Sequence, residues 1–122
     1  MTMQGTILFA HGSRDPLWRK PAEAIAQRVR TLDPTRSVAC AYLEMTEPDI
    51  KTCAADMARQ GVDRINVVPL FLGVGKHARE DLPLLINQLK AAHPHIAFTL
   101  QRAVGEDDRL VDLIATIAVA AE

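Results

Sequence analysis

The chain alternates four times between a short, mostly apolar run and a longer segment whose apolar residues have helical spacing. The runs occupy residues 7–10, 37–43, 64–72 and 96–100. Continuous apolar runs of this length are typical of strands that are covered on both faces. Strands that alternate with helices indicate a parallel sheet with right-handed crossovers. We therefore predict an α/β fold, in which residues 1–122 form a single three-layer domain with a four-stranded parallel sheet and helices on both faces.

Capping residues predict where the first helix begins and ends. Asp15 followed by Pro16 is a helix-start signal, because the carboxylate can cap the helix and proline suits its first turn. Because Pro21 lies inside this stretch, we expect the regular helix to begin near Lys20, and Asp33 followed by Pro34 is expected to end it. The apolar positions expected to form its buried stripe are Trp18, Ala22, Ile25, Val29 and Leu32.

The other three helices are predicted from similar signals. Thr46 or Glu47 is expected to cap the second helix, with Pro48 in its first turn. The third helix is expected to begin around residues 81–83, after a glycine-containing loop, and the fourth to span residues 107–120. The fourth is apolar around much of its circumference. We therefore expect it to be buried on more than one side, by the sheet or by self-association.

Composition excludes several classes of function. The formal net charge is −1 and aromatic residues make up 4% of the chain, so neither nucleic acid nor an anionic membrane is an expected partner. The N-terminal residues lack the pattern of a signal peptide, and the apolar stretch near the C-terminus is too short to cross a bilayer. We expect a cytoplasmic protein. Cys40 and Cys53 lack the spacing of a metal or redox motif, which predicts two reduced thiols.

Three potential metal ligands follow three of the predicted strands. His11 comes directly after the first strand, Glu44 after the second, and His77 in the loop after the third. The carboxyl ends of parallel strands share one edge, which is where open α/β sheets bind ligands. Taken singly, each residue could be part of a turn, a solvated charge or a helix cap. Together, two imidazoles and one carboxylate predict a site for a divalent transition metal.

The other two histidines of the chain are expected at the opposite edge of the sheet from the candidate metal site. His93 and His95 join a helix to the next strand, so we predict that they form a solvated turn at the opposite edge.

Four cations lie in or near the loops of the candidate metal site: Arg14, Lys76, Arg79 and Arg102. Surface cations usually serve solubility, but four around one rim could receive a polyanionic ligand through charge-assisted hydrogen bonds.

The motifs around these residues resemble those of the small CbiX-type class II chelatases. The matching segments are LFAHGSR at residues 8–14, Glu44 with Pro48 downstream, PLFLGVGKH at residues 69–77, and DLP at residues 81–83. The resemblance runs in order and spacing over residues 5–105. These small chelatases resemble half of the larger two-domain tetrapyrrole chelatases. The resemblance therefore implies half of a class II chelatase fold, and a homodimer in which two copies build the cleft.

The resemblance also implies an activity. It implies insertion of a divalent metal ion, Co²⁺ first and Ni²⁺ or Fe²⁺ as alternatives, into sirohydrochlorin in the biosynthesis of cobalamin, siroheme or a related tetrapyrrole. His11, His77 and Glu44 would be the catalytic residues and the metal ligands, with Glu44 either a third ligand or a second base. No permanently bound cofactor is expected, because the metal is a substrate. The candidates for binding the carboxylates of the tetrapyrrole are Ser13, Arg14, Lys76, Arg79 and Arg102.

Two other functions remain open from the sequence. A non-catalytic carrier of a metal or a tetrapyrrole could use the same three ligands. The segment FAHG at residues 9–12 is similar to the Arg-His-Gly start of histidine phosphatases, in which the histidine takes up a phosphoryl group. Here Ala10 occupies the arginine position, and the chain is short for that fold.

Overall fold

A four-stranded parallel sheet forms the centre of the structure, a computed structural model that describes residues 3–120. The strands are β1 (Gln4–Ala10), β2 (Ser37–Tyr42), β3 (Arg64–Pro69) and β4 (Ala97–Leu100), and the helices are α1 (Lys20–Leu32), α2 (Ile50–Arg59), α3 (Lys76–Ala92) and α4 (Asp108–Val119). Short 3₁₀ turns at Pro16–Arg19 and Val104–Glu106 precede α1 and α4. The strand order is β2–β1–β3–β4, and every pair is parallel. The predicted parallel sheet is therefore confirmed.

Helices lie on both faces of this sheet, as predicted. The connection from β1 to β2 and the connection from β2 to β3 run in opposite directions along the sheet, so right-handed crossovers place α1 and α2 on opposite faces. α1 contacts β1 and β2, and α3 contacts β4. The main hydrophobic core lies between the sheet and the α2–α3 side, and its largest fully buried members include Phe9, Ile7, Met57, Ile65 and Leu89.

Only part of the predicted buried stripe of α1 is buried. Of the predicted positions Ala22 is buried and Val29 is half-buried, whereas Trp18, Ile25 and Leu32 are 38%, 41% and 86% exposed. Ala26, which was not predicted, is also buried. On its side of the sheet, α1 covers only β1 and β2. The two small alanines lie against the sheet there, and the larger apolar side chains around them remain in solvent.

The start of α1 matches the sequence prediction, but the predicted cap of α2 is wrong. The Asp15 carboxylate accepts a hydrogen bond from the Leu17 backbone N–H at 2.9 Å, ahead of the regular helix. α2 is capped by Asp49, whose carboxylate accepts from the backbone N–H of Thr52 at 2.8 Å. Thr46 cannot serve as this cap, because its hydroxyl is already hydrogen-bonded to the loop after β1.

The predicted start of α3 is also wrong. The helix begins at Lys76 rather than near residue 81, so His77 lies in its first turn and Pro83 lies inside it. A proline inside a helix removes one backbone hydrogen bond and usually favours a break. Here Pro83 lies on the exposed side of the helix. The residues that bury α3 in the core on either side of the proline are Leu82, Ile86 and Leu89. Packing of this face outweighs the local effect of one proline.

The prediction that α4 is buried is wrong for a single copy of the chain. Among the described residues of α4 none is buried, and its main contact is with the Val104–Glu106 turn. Leu110 is half-buried, and the other large apolar side chains of α4 are between 41% and 84% exposed: Val111, Leu113, Ile114, Ile117 and Val119. An amphipathic helix with an apolar stripe in solvent indicates an interaction surface.

The sheet has a matching uncovered region. Along β3 the residues Ile65, Val67 and Pro69 are buried, whereas the alternate residues Asn66 and Val68 are only half-buried. Since alternate side chains point to opposite faces, the face of β3 away from α2 and α3 is incompletely covered. The third layer of the domain consists of α1, and α4 does not extend it over β3 and β4.

Both cysteines are free thiols, as predicted. Burial raises the pKa of the Cys53 thiol to about 11, and burial also raises the pKa of Cys40. Both thiols are therefore protonated near neutral pH. No helix within residues 3–120 is both long and apolar enough to cross a membrane.

Replacing Asp49 with alanine is expected to lower the free energy of unfolding by about 1 kcal/mol at pH 7, because α2 loses its cap. Hydrogen bonding by Thr52 lowers the pKa of Asp49 from its usual value. The ionised carboxylate therefore stabilises the fold fully above the unfolded pKa of about 3.9, and this contribution is lost as the pH falls through the lower folded pKa. Urea denaturation at neutral and at acidic pH measures both effects.

Asp49→Asn is the matched control, because asparagine keeps a capping oxygen but does not titrate. We expect its stability at pH 7 to be close to that of the wild type, without the loss specific to protonation of Asp49. If Asp49→Ala were as stable as the wild type at pH 7, the capping role of Asp49 would be wrong.

Candidate active site

The three predicted ligands line one cavity at the carboxyl edge of the sheet. This cavity has a volume of about 470 Å³, and His11, Glu44 and His77 all contribute to its wall. His11 follows the last residue of β1, Glu44 lies just beyond β2, and His77 belongs to the first turn of α3. All three are exposed to solvent. The structure therefore brings together the residues that the sequence places after three separate strands.

Backbone contacts join the loop after β1 to the loop after β2. The Glu44 N–H donates a hydrogen bond to the His11 carbonyl at 2.9 Å. Gly12 has a φ of +104°, and a Cβ at this position would lie 1.7 Å from the Glu44 carbonyl oxygen. No residue with a side chain fits this contact without moving one of the loops. Glycine at position 12 therefore allows two of the three candidate ligands to approach each other.

A side-chain hydroxyl provides a second link between the same loops. The Thr46 hydroxyl accepts a hydrogen bond from the Ser13 N–H at 3.0 Å and donates one to the Ser13 carbonyl at 2.6 Å. Both backbone groups of Ser13 are thus satisfied by one residue of the other loop. The positions of the two loops depend on this link as well as on the strand pairing of β1 with β2.

The imidazole of His11 packs against an aromatic ring from the core. The ring centroids of His11 and Phe71 are 4.3 Å apart, with an interplanar angle of 34°. Phe71 is 3% exposed, and its ring lies 6.3 Å from that of Phe9. Sequence reasoning did not assign Phe71 a role in the site, because a phenylalanine in an apolar run is first of all a core residue.

One wall of the cavity is apolar and comes mainly from α3. Its apolar members are Leu43, Phe71, Ala78, Leu82, Leu84 and Leu85, and its other polar members are Asp81 and Gln88. Asp81 lies four residues after His77, which places both on one side of the helix. This relation did not emerge from the sequence, because the helix was expected to begin at about Asp81. A correct helix start would have revealed it.

The three candidate ligands do not form a closed metal site. Over residues 3–120 no group of three or more His, Cys, Asp or Glu side chains is close enough to hold one metal ion. A single copy of the chain therefore presents its ligands around an open cavity rather than in a compact tetrahedral cage.

None of the five predicted substrate-binding residues lines this cavity, and four of them lie on the elements that carry His11 or His77. Ser13 and Arg14 are in the loop that carries His11, and the Ser13 hydroxyl accepts a hydrogen bond from the Asp15 N–H at 3.1 Å. Lys76 and Arg79 are exposed residues of α3 close to His77. The fifth, Arg102, lines a different cavity of about 350 Å³. Their role in substrate binding stays a prediction.

His93 and His95 lie where they were expected. His93 follows the last residue of α3, and both residues precede β4, at the edge of the sheet opposite to His11. His95 is exposed and His93 is half-buried. These histidines are therefore remote from the candidate site and are suitable controls for it.

Comparison with known proteins identifies relatives along almost the whole chain. The CbiX family model matches residues 5–119. The sirohydrochlorin cobaltochelatase of Methanopyrus kandleri is 36% identical over 84 residues, which cover 69% of this chain and 59% of that relative. The match thus spans less than two thirds of the length of this relative.

Two solved structures are similar over most of this chain. A CbiX protein from Marinobacter aquaeolei VT8 is 34% identical, with a TM-score of 0.84, and the match covers 96% of this chain and 95% of that one. The sirohydrochlorin chelatase SirB from Bacillus subtilis subspecies spizizenii, in complex with cobalt, is 27% identical, with a TM-score of 0.80. That match covers 94% of this chain but 49% of SirB. Because the family model matches nearly all of the sequence, this chain belongs to the CbiX family.

Proposed function

We propose that this chain is a metal chelatase (a lyase) that inserts a divalent metal ion into sirohydrochlorin. Co²⁺ is the first candidate, and Ni²⁺ and Fe²⁺ are the alternatives. The observation that carries the proposal is the presence of His11, Glu44 and His77 on one cavity in a member of the CbiX family. The names of the Methanopyrus relative and of SirB support the choice of substrate, and the cobalt in the SirB structure supports the choice of metal.

Metal insertion poses two chemical problems, and imidazoles can serve both. The ion must lose bound water, and two N–H protons must leave the macrocycle as metal–nitrogen bonds replace the N–H bonds. Neutral His11 and His77 can hold the ion through their nitrogen lone pairs. An imidazole that is not ligating the ion can accept a pyrrole proton as a general base and release it to solvent.

Glu44 contributes a negative charge close to His11. In our proposal it acts either as a third ligand or as a second base, and in both roles its charge stabilises the divalent ion. The open arrangement favours transfer, since a closed site of four ligands would retain the ion. The ligand types do not select the metal, because affinity for such sites follows the Irving–Williams order for any protein.

The apolar wall of the cavity and the cations outside it suit the two parts of the substrate. The apolar wall with Leu84 and Leu85 can cover the flat face of a macrocycle. Burial of the apolar macrocycle face against this wall would contribute about 25 cal/mol to the binding free energy for each Å² removed from water. The cations on the surrounding loops and on α3, together with Ser13, are proposed to bind the carboxylates of the tetrapyrrole. These cations are Arg14, Lys76, Arg79 and Arg102. No permanently bound cofactor is part of this proposal.

We also propose that the active form is a homodimer. The apolar stripe of α4 is exposed in one copy, and the sheet beside it is incompletely covered. SirB is about twice as long as the segment that matches this chain, as two copies would be. A twofold dimer would add the ligands of a second chain to the same cleft. The cytoplasmic location stays a prediction.

The activity is tested by following the absorbance spectrum of sirohydrochlorin with Co²⁺ under anaerobic conditions. We expect each protein molecule to complete many turnovers, at a rate above that of the reaction without protein. His77→Ala should lower the rate by roughly 100-fold or more, because it removes both a ligand and a potential base. His95→Ala, at the opposite edge of the sheet, is the matched control and should retain the wild-type rate.

Full activity of His77→Ala would refute the assignment of His77. A spectral shift that saturates at a fixed ratio to protein, without turnover, would instead favour a non-catalytic carrier. Repeating the assay with Ni²⁺ and Fe²⁺ would rank the metals.

Gly12→Ala is expected to lower the insertion rate more than tenfold, because its Cβ would collide with the Glu44 carbonyl oxygen. Gly61→Ala is the matched control, since Gly61 also has a positive φ, of +87°, but nothing lies within 4 Å of its Cβ position. Both variants acquire backbone strain of roughly 1–2 kcal/mol. Thermal melts measure that shared cost, and the cobalt insertion assay measures the loss that is specific to Gly12. Equal activities of the two variants would contradict the role of the close contact.

Ile117→Asp is expected to convert a dimer to a monomer, because it places a charge within the apolar stripe of α4. Light scattering on a size-exclusion column measures the mass. Thr116→Asp, at the neighbouring exposed position outside this stripe, introduces the same charge on the same helix and should leave the dimer intact. A monomeric mass of the wild type at assay concentration would refute the dimer.

A further inference from the structure

We propose that Phe71 is a positioning residue that fixes the orientation of the His11 imidazole, and that the backbone of Gly105 holds Phe71 in place. This inference rests on the proposed role of His11 in metal insertion. It concerns a buried residue in the cavity wall whose side chain has no acid–base or ligating chemistry of its own. Phe71 would act only through His11, by limiting the directions in which the nitrogen lone pairs of the imidazole can point.

The contact between the two rings is a tilted stack. Their centroids are 4.3 Å apart and their planes meet at 34°, so one face of the imidazole is covered by the phenyl ring. The two nitrogens lie at the edge of the imidazole, so a contact with the ring face does not occupy their lone pairs. Over residues 3–120 the structure contains no hydrogen bond to the His11 imidazole, so the stack is the contact that orients it.

The two partners differ in how firmly they are held. His11 is an exposed residue in a loop, whereas Phe71 is 3% exposed and belongs to the main core. The backbone N–H of Leu70 donates to the Phe9 carbonyl at 2.8 Å, which ties the segment before Phe71 to β1. The imidazole therefore packs against a ring that the core fixes.

A second backbone contact fixes Phe71 from the other side. The Gly105 N–H donates a hydrogen bond to the Phe71 carbonyl at 3.0 Å. A Cβ at position 105 would lie 1.7 Å from the carbonyl oxygen of Leu72, so the Val104–Glu106 turn lies directly on this segment. The Phe71 backbone is thus held between β1 and the turn that leads to α4.

Orientation matters for this chemistry because a nitrogen lone pair is directional. An exposed histidine samples several rotamers, and each change of rotamer moves its nitrogens. Misplacement by about 1 Å can lower a rate by about 100-fold. A stack on one face of the ring restricts the imidazole and does not occupy a nitrogen, as a hydrogen bond would. This arrangement suits a ligand that must both bind and release an ion.

The test compares Phe71→Leu with Phe9→Leu. Phe9 is a suitable control, because it is 1% exposed, belongs to the same core and is the aromatic neighbour of Phe71. Both variants should lose a similar amount of thermal stability. NMR spectra of the metal-free protein, with the His11 signals assigned through His11→Ala, should show ring-current-shifted imidazole protons in the wild type and in Phe9→Leu. In Phe71→Leu these signals should move to the positions typical of an unstacked histidine.

Kinetics provide the second readout. We expect Phe71→Leu to lower kcat for cobalt insertion about tenfold, with the KM for sirohydrochlorin within about twofold of the wild type, because ligand orientation rather than substrate binding is affected. In the His11→Ala background the same substitution should have little further effect on the rate, since the two residues act through one group.

Three outcomes would overturn the inference. These are an unchanged His11 spectrum in Phe71→Leu, an equal loss of kcat in Phe9→Leu, and a full additional loss in the double variant. If Phe71→Leu did not fold, nuclear Overhauser effects between the two rings in the wild type would still decide whether the stack exists. A wild type with the stack but without metal insertion would count against the proposed function and not against the orientation of His11.

Discussion

The close approach of two backbone segments, His11–Gly12 and Glu44, is the constraint on which the candidate site depends. Parallel pairing of β1 with β2 brings the ends of both strands to the same level, with Ala10 opposite Tyr42. Beyond the strands, the hydrogen bond from Glu44 to His11 and the absence of a side chain at Gly12 allow the loops to remain in contact. An imidazole and a carboxylate thus share a cavity because two main chains can touch.

The third candidate ligand reaches this cavity by a different route. His77 is part of a helix whose packing extends across an internal proline, so its position is determined by the burial of Leu82, Ile86 and Leu89 several residues away. The same helix supplies the apolar wall of the cavity. Ligand and apolar surface therefore come from one rigid element. A flat macrocycle that must present its centre to a metal ion would require both at a fixed distance.

α4 forms as a helix but does not cover the sheet, so one face of the sheet stays partly exposed. The helix forms, because capping by Asp107 and its own backbone hydrogen bonds suffice locally. It leaves its apolar stripe in solvent, and the sheet face beside β3 remains only half covered. Its main contact with the rest of the chain, the Val104–Glu106 turn, lies against the Phe71–Leu72 segment beneath His11. The surface proposed for self-association and the candidate site are thus connected through one short turn.

The alternation of strands and helices, the parallel sheet, and the edge at which His11, Glu44 and His77 lie could all be predicted from the sequence alone. Hydrophobic period and the Asp15 cap are local signals, and the parallel arrangement follows from the alternation of strands and helices. The strand order β2–β1–β3–β4 was not predicted, and it took tertiary packing to start α3 before its proline, to cap α2 with Asp49 rather than Thr46, and to leave α4 exposed. These outcomes depend on packing and hydrogen bonds between residues far apart in the chain. The stack of Phe71 on His11 belongs to the same class, because no local pattern distinguishes a core phenylalanine that supports a ligand from one that does not.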